Sequence, residues 1–523
     1  MKLRISTLIV AWLMLVALSY LLFLFLIQSA SSLVFPFGID YGEGIVWQQA
    51  LLMFTHDAYG PIKQFPAIVF HYTPLYHVVV LLIGALTHWD FLFIGRAVSI
   101  CSTLLIVMLV GLIVVRAAPP DIPRRYRFFV GSASGLLILS ITPIYYWSQL
   151  MRVDMLALLF TLTGFWFGLK AFQKPAYIYF AALFFVAAVY TKQTEIIAPM
   201  ALFGLMLFLK PRLALTGLGT CLIGGLAILA ILVYQTEGRF IRHILLYNIN
   251  VFDFSRLYIG FLILIIHAYL IIPAVVAISV GISRASSVLR PLSWGGRRTA
   301  ILSNQDLLTF LAILSYFSLS SPMLLLFAKE GAAGNYAIEW FLTVCMLIGV
   351  ILFDSAGVLS GQEPQLSPVK RQALHIRAIG IPLLIALHVL AFDYFFSTYQ
   401  LINNNPSQLL ELKGLSERIQ KSQKPVISDE MVMILRGGQR VVWESAIFAQ
   451  LEKVGLWDQL PFEAQIRRKE FAMFITEGVR GDELFDGRYS PAIADAMEAA
   501  YPVKQKIAGF TLHLPSNTNM NAE

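Results

Sequence analysis

The sequence predicts an all-α polytopic membrane protein of about eleven transmembrane helices, with a small C-terminal α/β extracytoplasmic domain. Three observations predict it. Apolar runs recur from Ile5 to Phe396, basic residues are confined to short connections between them, and after Tyr399 the composition becomes that of an ordinary soluble protein. The chain of 523 residues is 58% hydrophobic and 13% charged, with a mean hydropathy of +0.72. Soluble domains carry roughly 25% charged residues.

A helical span needs about 20 mainly apolar residues. Candidate spans are Ile5–Ile27, Phe91–Val115, Phe128–Trp147, Met155–Lys170, Ala176–Tyr190, Ile196–Leu209, Leu213–Tyr234, Leu257–Ile282, Leu307–Phe327, Ile338–Phe353 and Ala378–Phe396. Lys2 and Arg4 precede a run too long for a signal h-region, so the first span is expected to be retained. Leu75–Leu86 is short, and runs of about 10–14 residues are more often interfacial than spanning. If it lies in the interface, Arg116, Arg124, Arg125, Arg127, Lys170, Lys174, Lys210, Arg212, Arg284, Arg290, Arg297, Arg298, Lys370, Arg371 and Arg377 all share the side of Lys2 and Arg4. The positive-inside rule favours that arrangement. The N-terminus is then cytoplasmic. The first outer loop (28–90), the Arg152 loop, Tyr190–Glu195, Gln235–Arg256, Lys329–Tyr336 and the tail face outward.

Residues 1–398 are expected to form the membrane domain and 399–523 the soluble one. In the latter, Lys424–Ser428, Arg440–Trp443 and Phe471–Thr476 read as strands, and Ser445–Val454 and Pro491–Ala500 as helices.

Several functions are disfavoured. The net charge of +8 lies in short loops, where it sets topology rather than marking a nucleic-acid partner. Cys101, Cys221 and Cys345 all fall in apolar runs, which suggests neither a disulfide framework nor a thiolate metal site. No GxxxxGK[ST] loop is present, and Arg436-Gly437-Gly438-Gln439 is not a GxGxxG fingerprint. Proton-coupled carriers need acidic or histidine relays at membrane depth. Here the main mid-span ionisable residues are His267 and His388, which read as hydrogen-bonded packing histidines.

Charge gathers instead at the outward ends of the spans. Asp40 and Glu43, His71 and Tyr72, Arg96, Arg152 and Asp154, Lys192 to Glu195, and Lys329 to Glu339 all lie there. One such residue alone would be an interfacial anchor. Acidic, basic and aromatic residues recurring on one face point to a surface site, where a cation binds a phosphate head group while the acyl tail stays in hydrocarbon.

The order of these motifs carries a resemblance. An acidic pair follows the first span, then come His71-Tyr72-Thr73-Pro74-Leu75-Tyr76, Arg96 in an xGRxxS setting and Met151-Arg152-Val153-Asp154. Tyr190-Thr191-Lys192-Gln193-Thr194 and Gly331 to Asn335-Tyr336 complete the series. From Ile5 to Phe396 the chain resembles the GT-C superfamily of integral-membrane glycosyltransferases, in particular bacterial relatives of protein O-mannosyltransferase and lipid A aminoarabinose transferase. The resemblance implies transfer of a sugar from a polyprenyl-phosphate donor to a lipid, glycan or protein acceptor on the outer face of the bacterial inner membrane. It makes Asp40 the general base, with Glu43 as reserve, since an attacking hydroxyl must lose its proton. Arg96, Arg152, Lys192 and Tyr336 are the expected donor-phosphate ligands, and Tyr41, His71, Tyr72, Asp154, Gln193, Lys329 and Asn335 the expected pocket. No organic cofactor is implied. Some GT-C enzymes bind a divalent cation, for which Asp40, Glu43 and Asp154 are the available carboxylates, although no zinc-like ligand spacing or Asp-x-Asp motif occurs. Two rivals stay open: a flippase or carrier of a lipid-linked saccharide, and a non-catalytic membrane scaffold.

Overall fold

The computed structural model describes residues 2–248, 250–362, 367–397 and 405–516. The membrane part comprises α1 (Lys2–Val34), α2 (Gly42–Leu52), α3 (Leu75–Thr87), α4 (Phe91–Arg116), α5 (Arg124–Leu137), α6 (Thr142–Trp147), α7 (Asp154–Ala171), α8 (Tyr177–Thr191), α9 (Ile197–Leu209), α10 (Pro211–Gln235), α11 (Arg239–Ile244), α12 (Leu257–Ile266), α13 (Ala268–Leu289), α14 (Trp294–Ser303), α15 (Gln305–Ser320), α16 (Ile338–Ser360) and α17 (Pro368–Ser397). Among the described residues, eight helical stretches are long and apolar enough to cross a bilayer. The chain is a multi-pass membrane protein. The expected count of about eleven is not reached, because α8 and α9 are short and the expected span Phe128–Trp147 is broken in two. At 13 residues, α3 extends about 20 Å, well short of the hydrocarbon thickness of about 30 Å.

Among the eight apolar stretches the most buried is α16, packed on α4, α5, α13, α15 and α17. The apolar side chains of α10 are largely exposed, as suits a helix facing lipid.

Two apolar runs that read as single spans are interrupted. Phe128–Trp147 divides at extended Ile141, because Pro143 has no N–H and fits only the first turn of a new helix. Leu257–Ile282 divides at His267. The breaks meet: His267 Nε2 accepts the Thr142 N–H at 3.1 Å, and His267 Nδ1 donates to Ile263 O at 2.7 Å. His388 Nε2 donates to Ser140 O at 3.2 Å. Both histidines therefore satisfy backbone groups that a broken helix would otherwise strand in an apolar medium.

The C-terminal segment holds α18 (Pro406–Lys421), β1 (Ile427–Ser428), α19 (Met431–Arg436), α20 (Ser445–Lys453), α21 (Leu460–Arg467), β2 (Phe474–Thr476), α22 (Glu483–Arg488), α23 (Pro491–Ala500), β3 (Val503–Ile507) and β4 (Phe510–Leu514). Its sheet has the order β1-β2-β4-β3, with β1 and β2 parallel and the other pairs antiparallel. The expected strand Arg440–Trp443 is absent from this sheet. It runs instead along the membrane part, where Val441 N–H reaches the Gln48 side chain at 3.0 Å and Ala67 N–H reaches Val442 O at 2.8 Å. The expected boundary between 398 and 399 lies outside the described residues. The segment sits closely on α2: a Cβ at Gly44 would come within 2.5 Å of Met431 Cβ.

Candidate active site

The connections after α1, before α3, before α7, after α8 and before α16 converge at one end of the bundle, against the C-terminal segment. The loop after α1 turns at Gly38 and runs through Asp40 into α2. Glu43, in the first turn of α2, points inward. Its carboxylate accepts from Ile39 N at 2.7 Å, Met151 N at 2.8 Å, and Arg96 Nε and Nη2 at 2.9 and 2.8 Å. Arg96 also donates to the carbonyls of Ser32, Phe35 and Phe37 at 2.7, 2.6 and 2.7 Å. All five guanidinium donors are thus engaged. Burial alone would raise the Glu43 pKa, but the Arg96 charge and these hydrogen bonds hold it below the ordinary range. Both side chains are 0% exposed. Two expectations are corrected here: Arg96 presents no free donor to a phosphate, and Glu43 presents no oxygen to an acceptor. Together they brace the first outer loop against α4 and the loop before α7.

Asp40 lies in front of this brace, partly exposed. Its Oδ1 receives the Gly42 N–H at 3.0 Å and Arg152 Nη1 at 3.1 Å. Arg152 Nη2 donates to the Tyr72 hydroxyl at 3.2 Å, and its Nε has no hydrogen-bond partner among the described residues. Burial disfavours the charge on Arg152, but Tyr72, Asp40 and Asp154 outweigh it, so its pKa lies above the ordinary value. Burial first of all keeps the Tyr72 phenol protonated. Gly42 permits the close approach, since a Cβ there would fall 1.5 Å from Arg152 Nη1.

Arg152 and Asp154, two residues apart, serve neighbouring clusters. Asp154 Oδ1 meets Lys192 Nζ at 2.8 Å and Asn335 Nδ2 at 3.0 Å. Its position in the first turn of α7 suits a negative charge. Asp154 Oδ2 is buried and has no hydrogen-bond partner among the described residues. Lys192, extended just after α8, also lies 3.9 Å from Glu195 and 5.9 Å from the Tyr336 ring centroid. Its pKa is raised: burial opposes the charge, and Asp154 and Glu195 more than compensate.

Gln193 links this cluster to the first, donating to His71 O at 2.8 Å. The His71 imidazole, driven down to about 3 by burial and then by the Arg152 charge, stays neutral. Lys329 lies half-buried in the loop before α16, its amine pulled down by burial, and its charge bears on His71. Tyr41 turns the other way, out of the pocket expected for it. Its hydroxyl meets Ser445 Oγ and the Ala446 N–H, both at 3.2 Å, under the Arg488 guanidinium 4.2 Å from its ring centroid.

The structure therefore brings Asp40, Arg152, Tyr72, His71, Gln193, Asp154, Lys192, Asn335 and Tyr336 into one network. Two acids beside it have no role in the expected site. Glu195 had a visible signal, its i,i+3 spacing from Lys192. Glu444, whose Oε2 lies 3.8 Å from His71 Nε2, had only its place ahead of an amphipathic helix. Asp40, Glu43 and Asp154 do not fit a divalent cation: each is matched to its own basic residue, and among the described residues no group of three ligating side chains converges.

No protein-family model matches the sequence, and no curated protein matches it either. Solved structures do match. ArnT from Cupriavidus metallidurans bound to undecaprenyl phosphate aligns at a TM-score of 0.55 and 13% identity, over 97% of this chain and 98% of that one. Its apo form aligns at 0.52 and 12%, over 94% and 97%. The archaeal oligosaccharyltransferase AglB from Archaeoglobus fulgidus aligns at 0.48 and 10%, over 96% and 75%. At these identities the likeness to ArnT is one of fold alone.

Proposed function

We propose that this chain, folded as ArnT is, transfers a glycosyl group from a polyprenyl-phosphate-sugar donor to a lipid, glycan or protein acceptor at the outer face of the bacterial inner membrane. The observation that carries the reading is Arg152, forked between the Asp40 carboxylate and the Tyr72 hydroxyl with Nε unengaged. It places a base and a phosphate-binding cation side by side.

In this reading the acceptor hydroxyl gives its proton to Asp40 as its oxygen attacks the anomeric carbon. Both Asp40 contacts fall on Oδ1, so Oδ2 is the oxygen available to the proton. The bond from the anomeric carbon to the donor phosphate breaks, inverting the centre. Phosphate is a fair leaving group and needs its charge matched more than it needs a proton. Arg152 and Lys192 supply that charge, Lys329 adds a third positive group, and Tyr336 packs beside Lys192. The Arg96–Glu43 brace holds Asp40 in place without touching substrate. The C-terminal residues from 399 onward form the extracytoplasmic domain.

Membranes carrying Asp40→Asn, supplied with labelled lipid-linked sugar, test the central role. The expected loss is about 10²–10⁴-fold, the usual contribution of a positioned base. Unchanged turnover would remove Asp40 from that role.

A further inference from the structure

Helix α20 reaches the site from the C-terminal segment and bridges two of its loops. At its N-terminus, Ser445 and Ala446 bind the Tyr41 hydroxyl, both at 3.2 Å. At its C-terminus, Lys453 pairs with Glu330 at 2.9 Å, in the loop that carries Asn335 and Tyr336. Glu444 stands at the N-cap with extended backbone, φ −119° and ψ 112°, yet its side chain makes no capping hydrogen bond.

The Glu444 carboxyl turns toward the site instead. Its Oε2 lies 3.8 Å from His71 Nε2 and has no hydrogen-bond partner among the described residues, although the residue is only 6% exposed. Because His71 stays neutral, that contact is no ion pair. The charges that bear on Glu444 are Arg152 and Arg488, and burial outweighs both, pushing its carboxyl up to about 8. Gln193 Oε1 and Asp154 Oδ2 are buried acceptors in the same network, without a hydrogen-bond partner among the described residues. Buried polar atoms are nearly always hydrogen-bonded. Gln193 Oε1 and Asp154 Oδ2 call for a ligand that brings donors, and the Glu444 carboxyl, kept largely protonated by burial, can both donate and accept. A phosphate brings none; a sugar brings several hydroxyls.

We infer that Glu444 is a substrate-binding residue supplied by the C-terminal segment, its carboxyl hydrogen-bonding a hydroxyl of a sugar held in the site. This rests on the glycosyl-transfer reading, and the sugar belongs either to the donor or to the acceptor. The geometry is pre-set: the Tyr41 clamp fixes α20, and Asp429 holds Arg488 over that clamp at 3.1 Å.

The test uses the full chain in lipid nanodiscs, with undecaprenyl phosphate and undecaprenyl-phosphate-linked hexose and pentose as probes. Glu444→Ala should bind undecaprenyl phosphate as wild type does, which also reports an intact fold. It should bind the sugar-linked lipids about 2- to 10-fold more weakly, the worth of a hydrogen bond between neutral groups, with partial recovery in Glu444→Gln. If the sugar belongs to the acceptor, lipid binding stays unchanged and the KM for acceptor in inner-membrane vesicles rises by a similar factor. The inference is overturned if neither quantity moves, if undecaprenyl phosphate binding falls by the same factor, or if Lys453→Ala reproduces the effect. Wild-type protein that binds neither class of lipid would overturn the glycosyl-transfer reading itself.

Discussion

Replacing Arg96 tests most sharply what the core of the site is for. Its guanidinium makes five hydrogen bonds, two to Glu43 and three to carbonyls at the end of α1 and just after it, with no exposure to solvent. Arg96→Met leaves the Glu43 charge buried without its counter-charge, a change that costs about 3–5 kcal/mol. Arg96→Lys keeps the charge but supplies three donors in place of five, so at least two acceptors lose their bond, at roughly 1–3 kcal/mol each. Detergent-solubilised variants should therefore unfold at lower temperature in the order Met, Lys, wild type. Proteolysis of the loop between α1 and α2 should accelerate in the same order. Undecaprenyl phosphate affinity, measured in the cold where the fold survives, should stay close to wild type. An Arg96→Met protein that melts normally but has lost the lipid would refute this assignment and return Arg96 to the phosphate.

Three further outcomes follow from the same geometry. Gly42→Ala puts a Cβ 1.5 Å from Arg152 Nη1 and 3.1 Å from Asp40 Oδ1; it should abolish turnover with little change in melting temperature, and normal activity would contradict the Arg152–Asp40 arrangement. Lys192→Met removes the cation from an Asp154 that is 0% exposed, so melting temperature and polyprenyl-phosphate affinity should fall together, and a fall in only one would contradict the shared role. The last concerns acid. His243 accepts the Phe70 N–H at Nδ1 and donates to Gly60 O from Nε2, at 3.0 and 2.8 Å, and burial pushes its pKa down to about 4. The unfolded chain takes up that proton near pH 6.5, before the folded one does. Stability present above that pH should fade as pH falls from about 6.5 to 4, and His243→Gln should flatten the slope in thermal melts.

Much of the site was legible because its chemistry is local to motifs. Met151-Arg152-Val153-Asp154 and Lys192-Gln193 each put charge at a helix end facing one side of the bundle, and the structure brings them together. What the sequence could not show was which partner each charge takes. Arg96 and Arg152 look alike at the outer ends of apolar runs, yet one is sealed under Glu43 and the other faces Asp40. That difference arises from a loop folding back over α4, which periodicity along the chain does not report. Breaks in the spans were half-visible: Pro143 is a sequence signal, whereas the interruption at His267 follows from a hydrogen bond to Thr142 across the bundle. Glu444 was hidden because Arg440–Trp443 reads as a strand, while its backbone groups bind Gln48 and Ala67 of the membrane part. The hairpin of β3 and β4 was missed for a simpler reason: Val503-Lys504-Gln505-Lys506-Ile507 is too polar to signal a strand.

The central claim is that the chain cleaves the bond between sugar and carrier phosphate, rather than carrying the lipid across intact. Purified protein in proteoliposomes, loaded with a labelled undecaprenyl-phosphate-linked sugar and an extract of envelope acceptors, decides it by mass spectrometry of the lipid. The account predicts free undecaprenyl phosphate with wild type and almost none with Asp40→Asn. Intact lipid-linked sugar recovered on the opposite leaflet, with no free carrier, would contradict it.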